Sequence, residues 1–167
     1  MRQNKPLFLV LLFLFLAGCH REPWQHTSIR SGDPNYDMAK LSYPSTDGAQ
    51  GIELELTRCD KEIFGYIYVD QFDLPSVEPN VTTLTITTNS SSRTFTLPLL
   101  QGSQKARLTD ECLEYLLQTL TLKPSVTLSS GYFMQTIDAT RFEQHYQALL
   151  RKPFLPHPRS MISFELF

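Results

Sequence analysis

The sequence predicts a mainly β domain of the α+β class, a small antiparallel β-sandwich of hairpins decorated by two amphipathic helices. Several stretches alternate apolar and polar residues, which is the pattern of half-buried strands. Aromatic residues and Thr, both common in strands, recur along these stretches. Two later stretches instead repeat Leu or aromatic residues at helical spacing, so a helix is expected at each.

The first 18 residues have the parts of an export signal. Arg2 and Lys5 give a positive start, and residues 6–15 form an uncharged, strongly apolar run. As a helix, about ten residues span roughly 15 Å, half of the ~30 Å that a bilayer core requires. The run is therefore interpreted as a cleaved signal segment and not as a membrane-spanning helix.

The tetrapeptide that follows, Leu16-Ala17-Gly18-Cys19, resembles the lipobox of bacterial lipoproteins. The resemblance implies cleavage before Cys19 by signal peptidase II, and acylation of Cys19 by a diacylglyceryl group and an N-acyl chain. Each buried CH₂ contributes about 0.8 kcal/mol, so three acyl chains anchor a protein stably in a bilayer. His20 stands where Asp would signal inner-membrane retention, which favours the outer membrane of a bacterial envelope. The alternative is an ordinary secretory signal that ends near a Cys.

Composition limits the number of domains and the partners. Residues 20–50 lack a sustained period and contain Pro, Gly, Ser and Asp, so residues 19–50 are expected to be a lipidated N-terminus and flexible linker. Residues 51–167 then form a single globular domain. With Arg2 and Lys5 removed from the 15 basic residues, 13 remain against 17 acidic ones, which disfavours nucleic acid as a partner. Trp24 is interpreted either as a residue at the lipid interface or as one that folds back on the domain.

Two cysteines remain after Cys19. In an exported protein Cys59 and Cys112 most simply form a disulfide, which would contribute about 4 kcal/mol for a loop of this length. Two free buried thiols are one alternative. Half of a metal site is the other, but no His or Cys stands at ligand spacing from either cysteine.

The first half of the domain is predicted to contain two hairpins. Ile52, Leu54 and Leu56 alternate with polar residues, and residues 62–69 are apolar on both faces, which predicts an outer and a central strand. Gly65 in the central strand indicates a bulge or a close backbone contact. After a loop over residues 71–80, strands over residues 81–88 and 93–99 should pair, with Leu84 and Ile86 facing Phe95 and Leu97.

The second half is predicted to alternate helices and strands. Thr109 is a good N-cap for a helix whose buried stripe is Leu113, Leu116, Leu117 and Leu120, with Cys112 facing inward. Strands over residues 125–129 and 132–137 follow. A second helix is expected at Thr140, with Glu143 completing a capping box, a buried stripe of Phe142, Tyr146, Leu149 and Leu150, and Pro153 as its stop. Ile162, Phe164 and Leu166 alternate as a last strand at a sheet edge.

From Thr96 to Leu150 this order of elements resembles the periplasmic domains of the invasion-associated locus B type. The residues that carry the resemblance are Ala106, Leu108, Leu116, Leu117, Val126, Leu128 and Phe142. The resemblance implies an exported, non-enzymatic, β-rich domain and supplies no site residues. The chain departs from that pattern because it has only Cys112 where paired cysteines are expected before the first helix.

No local motif positions a nucleophile or carboxylate beside a His. His145 is interpreted as a residue on the flank of the second helix, and Glu53 and Glu55 as the solvated side of a strand. Lys105 and Arg107 form either a small anion site or two solvated charges in a loop. We therefore expect no enzyme activity, no cofactor, no metal ion and no small-molecule substrate.

The function expected is that of a membrane-anchored envelope lipoprotein, a binding, structural or pilotin-like assembly module with an envelope protein as partner. An exposed apolar sheet edge would favour this function. One alternative is an inhibitor of hydrolases such as lysozyme, which would present a projecting loop. A second alternative is a small hydrolase, which would require His145 to lie beside an acid or a Ser in a concave pocket.

Overall fold

The structure, a computed structural model, describes residues 22–29 and 38–151. In this part of the chain it contains nine strands and two helices, which confirms the predicted mainly β fold of the α+β class. The strands are β1 (Gln25–Ile29), β2 (Met38–Tyr43), β3 (Glu53–Cys59), β4 (Glu62–Tyr68), β5 (Val81–Thr87), β6 (Ser92–Pro98), β7 (Lys105–Arg107), β8 (Ser125–Ser130) and β9 (Phe133–Asp138). The helices are α1 (Asp110–Leu122) and α2 (Phe142–Leu150). The lipobox, Pro153 and the predicted last strand lie outside the described residues.

The strands form two antiparallel sheets around one hydrophobic core. The five-stranded sheet has the order β1-β2-β3-β4-β7, and the four-stranded sheet has the order β6-β5-β8-β9. The core contains the fully buried side chains of Leu54, Leu56, Ile67, Leu84 and Leu128 from both sheets. The alternation that predicted β3 is the cause of this burial, because every second residue of a strand faces the same side.

The prediction of a flexible linker over residues 19–50 is wrong for the part that the structure describes. β2 pairs with β3 over its full length, β1 pairs with β2, and Leu41 and Tyr43 are buried. Ala39, Leu41 and Tyr43 alternate with two polar residues, so the sequence carries a strand signal that the Pro, Gly and Asp on either side obscured. The domain therefore begins well before residue 51.

Helix α1 follows its prediction closely. The side chain of Thr109 accepts a hydrogen bond from the backbone N–H of Cys112 at 3.3 Å, as an N-cap should. Leu113, Leu116 and Leu120 are buried. The stripe of leucines therefore faces the core, as its spacing predicted.

Helix α2 begins differently from its prediction. The N-cap is Arg141, in the left-handed region at φ 63°, and no side chain caps the helix, so the capping box of Thr140 and Glu143 is wrong. The backbone N–H of Thr140 is instead bonded to the Oδ1 atom of Asp138 at 2.8 Å, which forms a tight turn after β9. At the other end, Arg58 donates from Nη1 to the carbonyl oxygen of Leu150 at 2.7 Å. This bond satisfies a free carbonyl at the end of the helix, where a cation is favoured.

Neither described helix is long and apolar enough to cross a membrane.

Gly65 allows helix α1 to approach the five-stranded sheet. Gly65 pairs directly with Leu56, so it is a close contact and not a bulge. A Cβ atom at Gly65 would lie 2.6 Å from Cδ1 of Leu108 and 2.9 Å from Cδ1 of Leu113. The missing side chain therefore leaves the space that these two leucines fill.

We expect Gly65→Ala to lower the free energy of unfolding by about 1–3 kcal/mol, the usual cost of overpacking a core. Gly48→Ala is the matched control, since no atom lies within 4 Å of its Cβ position. Urea titrations of the two variants measure the difference. An equal effect of both substitutions would contradict the close packing at Gly65.

Candidate binding site

A cleft with a volume of about 470 Å³ lies where residues 22–24 cross the end of β2 and the start of α2. The side chains that give it chemical character are those of Glu22, Trp24, Tyr43, Asp138, Arg141 and His145. Aromatic and charged groups therefore meet in one concave region.

Trp24 forms the wall of this cleft. Its side chain is only 4% exposed, and its ring contacts Tyr43 edge-on at a centroid distance of 4.9 Å and Phe142 at 5.2 Å. Its Nε1 atom donates to the carbonyl oxygen of Asp138 at 3.3 Å. Of the two interpretations of Trp24, the structure therefore supports the one in which it folds back on the domain.

Glu22 contacts two side chains at the start of α2, one from the N-cap residue and one from the helix itself. The guanidinium of Arg141 donates to Oε1 of Glu22, and Nε2 of His145 lies 3.4 Å from Oε2. Arg141 and Glu22 are largely exposed, so their ion pair contributes at most about 1 kcal/mol. The contact nevertheless directs Glu22 into the cleft, beside a His that is largely buried.

His26 and His145 form a stacked pair at the rim of the cleft. Nε2 of His26 lies 3.0 Å from Nδ1 of His145, and their rings are 5.2 Å apart. Burial and the charge of His145 lower the pKa of His26, against the opposing effect of the Glu22 carboxylate. His145 lies on helix α2 outside the buried stripe, as interpreted from the sequence, but its side chain is only 11% exposed and lines the cleft.

The residues that sequence reasoning missed here are Glu22, Tyr43, Asp138 and Arg141. The bonds that join the cleft connect residues 95 to 119 positions apart in the chain. No local spacing carries such information, so among the residues of the cleft the sequence singled out only Trp24 and His145.

The carboxylates of Glu53 and Glu55 are ion-paired on the outer side of the five-stranded sheet. Glu55 accepts hydrogen bonds from Nζ of Lys40 at 3.1 Å and from Nζ of Lys105 at 3.0 Å. Burial alone would raise the pKa of Glu55, but the bonds to the two lysines outweigh it and lower the pKa, whereas burial raises the pKa of Glu53. These contacts satisfy the charges of the strand and place neither carboxylate in the cleft.

Lys105 and Arg107 are not in a loop, because they flank Ala106 in strand β7. Nζ of Lys105 bonds Glu55 and lies over the ring of Tyr66, while the guanidinium of Arg107 lies over the ring of Phe64. Of the two alternatives, the anion site is therefore not supported, and the two charges are not in a loop: that of Lys105 is paired with Glu55, and that of Arg107 stacks on an aromatic ring.

The predicted disulfide is absent, because Cys59 and Cys112 are both free thiols. Side chains alternate along β3, so Cys59 shares the outer face with Glu53 and Glu55, whereas Leu54 and Leu56 face the core. Cys112 is fully buried, and burial raises the pKa of its thiol to about 12. The sheet thus separates the two sulfurs.

Strand β1 forms an open edge next to the cleft. All five of its residues are exposed, and among the described residues only β2 pairs with it. Its sequence, Gln-His-Thr-Ser-Ile, contains no Pro, Lys or Arg, which are the residues that usually protect an edge strand. Ile29 and Met38 lie opposite each other at the end of this pair and are 59% and 38% exposed.

The other sheet edges are protected. The backbone N–H of Met134 in β9 donates to the carbonyl oxygen of Gln50, and Leu99 bridges Ala106 in β7. Strand β6 contains Arg93 and Pro98. Within the part of the chain that the structure describes, β1 is therefore the edge most open to another strand.

No group of three or more His, Cys, Asp or Glu side chains among the described residues is placed to hold a metal ion. Comparison of the chain with protein-family models, with curated proteins and with solved structures finds no match. Function must therefore be inferred from the residues of the chain itself.

The lowered pKa of His26 predicts a pH-dependent stability. The folded protein binds a proton at His26 less readily than the unfolded chain, so the contribution is complete above about pH 6.5, the usual His pKa, and decreases as the pH falls below it. Urea titrations at pH 7.5 and pH 5.5 should show a larger loss of stability in the wild type than in His26→Gln. An equal loss in both proteins would contradict the assignment to His26.

The separated thiols predict unequal effects of their removal. In a chain that begins at residue 20, Cys112→Ser should destabilise by about 1–3 kcal/mol because it buries a hydroxyl group, whereas Cys59→Ser should change stability by less than about 0.5 kcal/mol. Alkylation of the native protein should modify Cys59 and spare Cys112. Two protected thiols that become reactive only after reduction would show that a disulfide forms.

Proposed function

We propose that the chain is a bacterial envelope lipoprotein, anchored through acylated Cys19, whose domain binds an extended segment of an envelope protein. The lipobox at residues 16–19 and the short apolar run before it support the anchor. The partner is recognised at the outer edge of β1. The protein acts by holding that partner near the membrane and not by chemistry.

The open edge of β1 is the observation that carries this proposal. An edge strand offers a row of backbone N–H and C=O groups, and a partner strand that bonds to them extends the sheet. Natural proteins usually block such edges with charge, Pro or a covering segment, and β1 has none of these among the described residues. Exposed Ile29 and Met38 add a small apolar contact at one end.

A small hydrolase is the second candidate, because His145 lies beside an acid, Glu22, in a cleft. Both ring nitrogens of His145 have partners, however: Nε2 faces Glu22 and Nδ1 faces His26. A general base needs a nitrogen directed at the proton that it removes. The cleft therefore supports binding better than catalysis, and ester hydrolysis that disappears in His145→Gln would reverse this preference.

The partner site is tested by photocrosslinking in cells. A benzoylphenylalanine at Thr27 in β1 should form adducts with an envelope protein, whereas the same group at Thr96 on the protected strand β6 should not. Adding Ser28→Lys should reduce the Thr27 adduct several-fold, because a lysine blocks pairing at an edge. Thr96→Lys is the matched control and should leave the adduct unchanged.

Cys19→Ala separates the anchor from the binding edge in the same cells. It should release the chain from membranes and reduce the adduct, while circular dichroism of the purified domain stays unchanged. An adduct that forms equally at Thr27 and Thr96 would contradict the proposed edge, and continued pelleting of Cys19→Ala with membranes would contradict the anchor.

A further inference from the structure

We propose that the side of the domain that carries β1 and the Trp24 cleft lies against the headgroup layer of the bilayer that anchors Cys19. The inference rests on the proposed acylation of Cys19 and adds an orientation to it. The phospholipid surface faces the cleft and the start of β1, where Glu22 lies next to the anchor, and the rest of the β1 edge stays available to the partner strand.

The distance along the chain between the anchor and the cleft is short. Glu22 follows Cys19 by three positions, so their Cα atoms are at most about 11 Å apart, and those of Trp24 and Cys19 at most about 18 Å. The linker first predicted over residues 19–50 would have allowed an r.m.s. reach of roughly 25–30 Å. The folded strands β1 and β2 remove most of that reach.

Two contacts fix the end of this short tether to the domain. Glu22 is held by Arg141 and His145, and Trp24 is buried against Tyr43 and Phe142. A domain of this size has a radius of gyration of about 14 Å and thus a diameter of roughly 35 Å. The tether is therefore much shorter than the domain is wide, and the opposite side cannot face the bilayer while Trp24 stays buried.

The sheet order identifies the opposite side. β1 is one edge of the five-stranded sheet and β7 is the other, four strand spacings or about 19 Å away. β6 lies beside β7, where Leu99 at its end bridges Ala106. Thr96 in β6 is therefore on the side that should face away from the membrane.

The chemistry of the side that carries β1 suits a headgroup layer. β1 has no acidic residue, the carboxylate of Glu22 is paired with Arg141, and that of Asp138, which also lines the cleft, accepts a hydrogen bond from the backbone N–H of Thr140. The two carboxylates that line the cleft therefore each have a polar partner.

Burial of Trp24 also sets the length of the tether. If Trp24 left the cleft and β1 left β2, the first residue fixed to the domain would be Met38, which follows Cys19 by 19 positions. A chain of that length has an r.m.s. reach of about 25 Å when flexible. Residues 22–29 thus act as a clasp that keeps the domain on the membrane.

Energy transfer tests this orientation. Trp24 is the sole tryptophan of the chain. The acylated, full-length mature protein is reconstituted into vesicles of phosphatidylethanolamine and phosphatidylglycerol that contain a dansyl-labelled headgroup lipid. Transfer from Trp24 should be several-fold stronger than transfer from the matched variant Trp24→Phe/Thr96→Trp, whose melting temperature is checked first. A flexible Gly/Ser insertion between Cys19 and Glu22 leaves the fold untouched and should weaken transfer from Trp24.

The outcomes separate the orientation from the proposed function. Equal transfer from the two tryptophan positions, or transfer from Trp24 that the insertion does not change, would overturn the orientation. An exposed, red-shifted Trp24 emission on vesicles would also overturn it, because the clasp would then be open. Vesicle flotation and the mass of the N-terminal peptide report acylation independently, so a chain that fails to float contradicts the anchor and not the orientation.

Discussion

Burial of Trp24 is the contact on which the architecture of this domain depends. The indole joins three elements that are distant in sequence, since it packs on Tyr43 of β2 and Phe142 of α2 and donates to the backbone at the end of β9. Removing a buried Trp typically costs about 3–5 kcal/mol, a large part of the stability of a small domain. Without this contact, β1 would be a polar edge strand held by β2 and by the contact of His26 with His145, and the cleft would lose its wall. The sheet edge and the cleft are thus one structural unit.

The sequence predicted correctly the elements whose formation depends on residues close to one another in the chain. The alternation at Leu54 and Leu56 predicted β3, and the leucine spacing after Thr109 predicted α1, because each depends on a residue and its near neighbours. β2 was missed although Ala39, Leu41 and Tyr43 alternate, because turn residues on both sides outweighed a short pattern.

The errors arose where distant groups compete with local rules. The predicted capping box at Thr140 was wrong because the backbone N–H of Thr140 donates to the side chain of Asp138, which forms a tight turn before the helix. The predicted disulfide was wrong because side chains alternate along β3, which directs Cys59 to the outer face of the sheet. The prediction used only the even number of cysteines, which gives no information on where their side chains lie. The cleft could not be predicted because Glu22, Arg141 and His145 meet only when both ends of the described chain fold together.

The clasp also affects how the chain matures. Its bonds join residues 114 to 119 positions apart, so the contacts of Glu22, Trp24 and His26 form only when the chain is present as far as α2. Contacts of such long range form slowly, because the intervening loop must first be closed. If Cys19 is acylated as we propose, the modification can therefore precede the closure of the clasp. In the proposed orientation, closure of the clasp then brings the domain against the bilayer surface, so that folding and attachment are coupled.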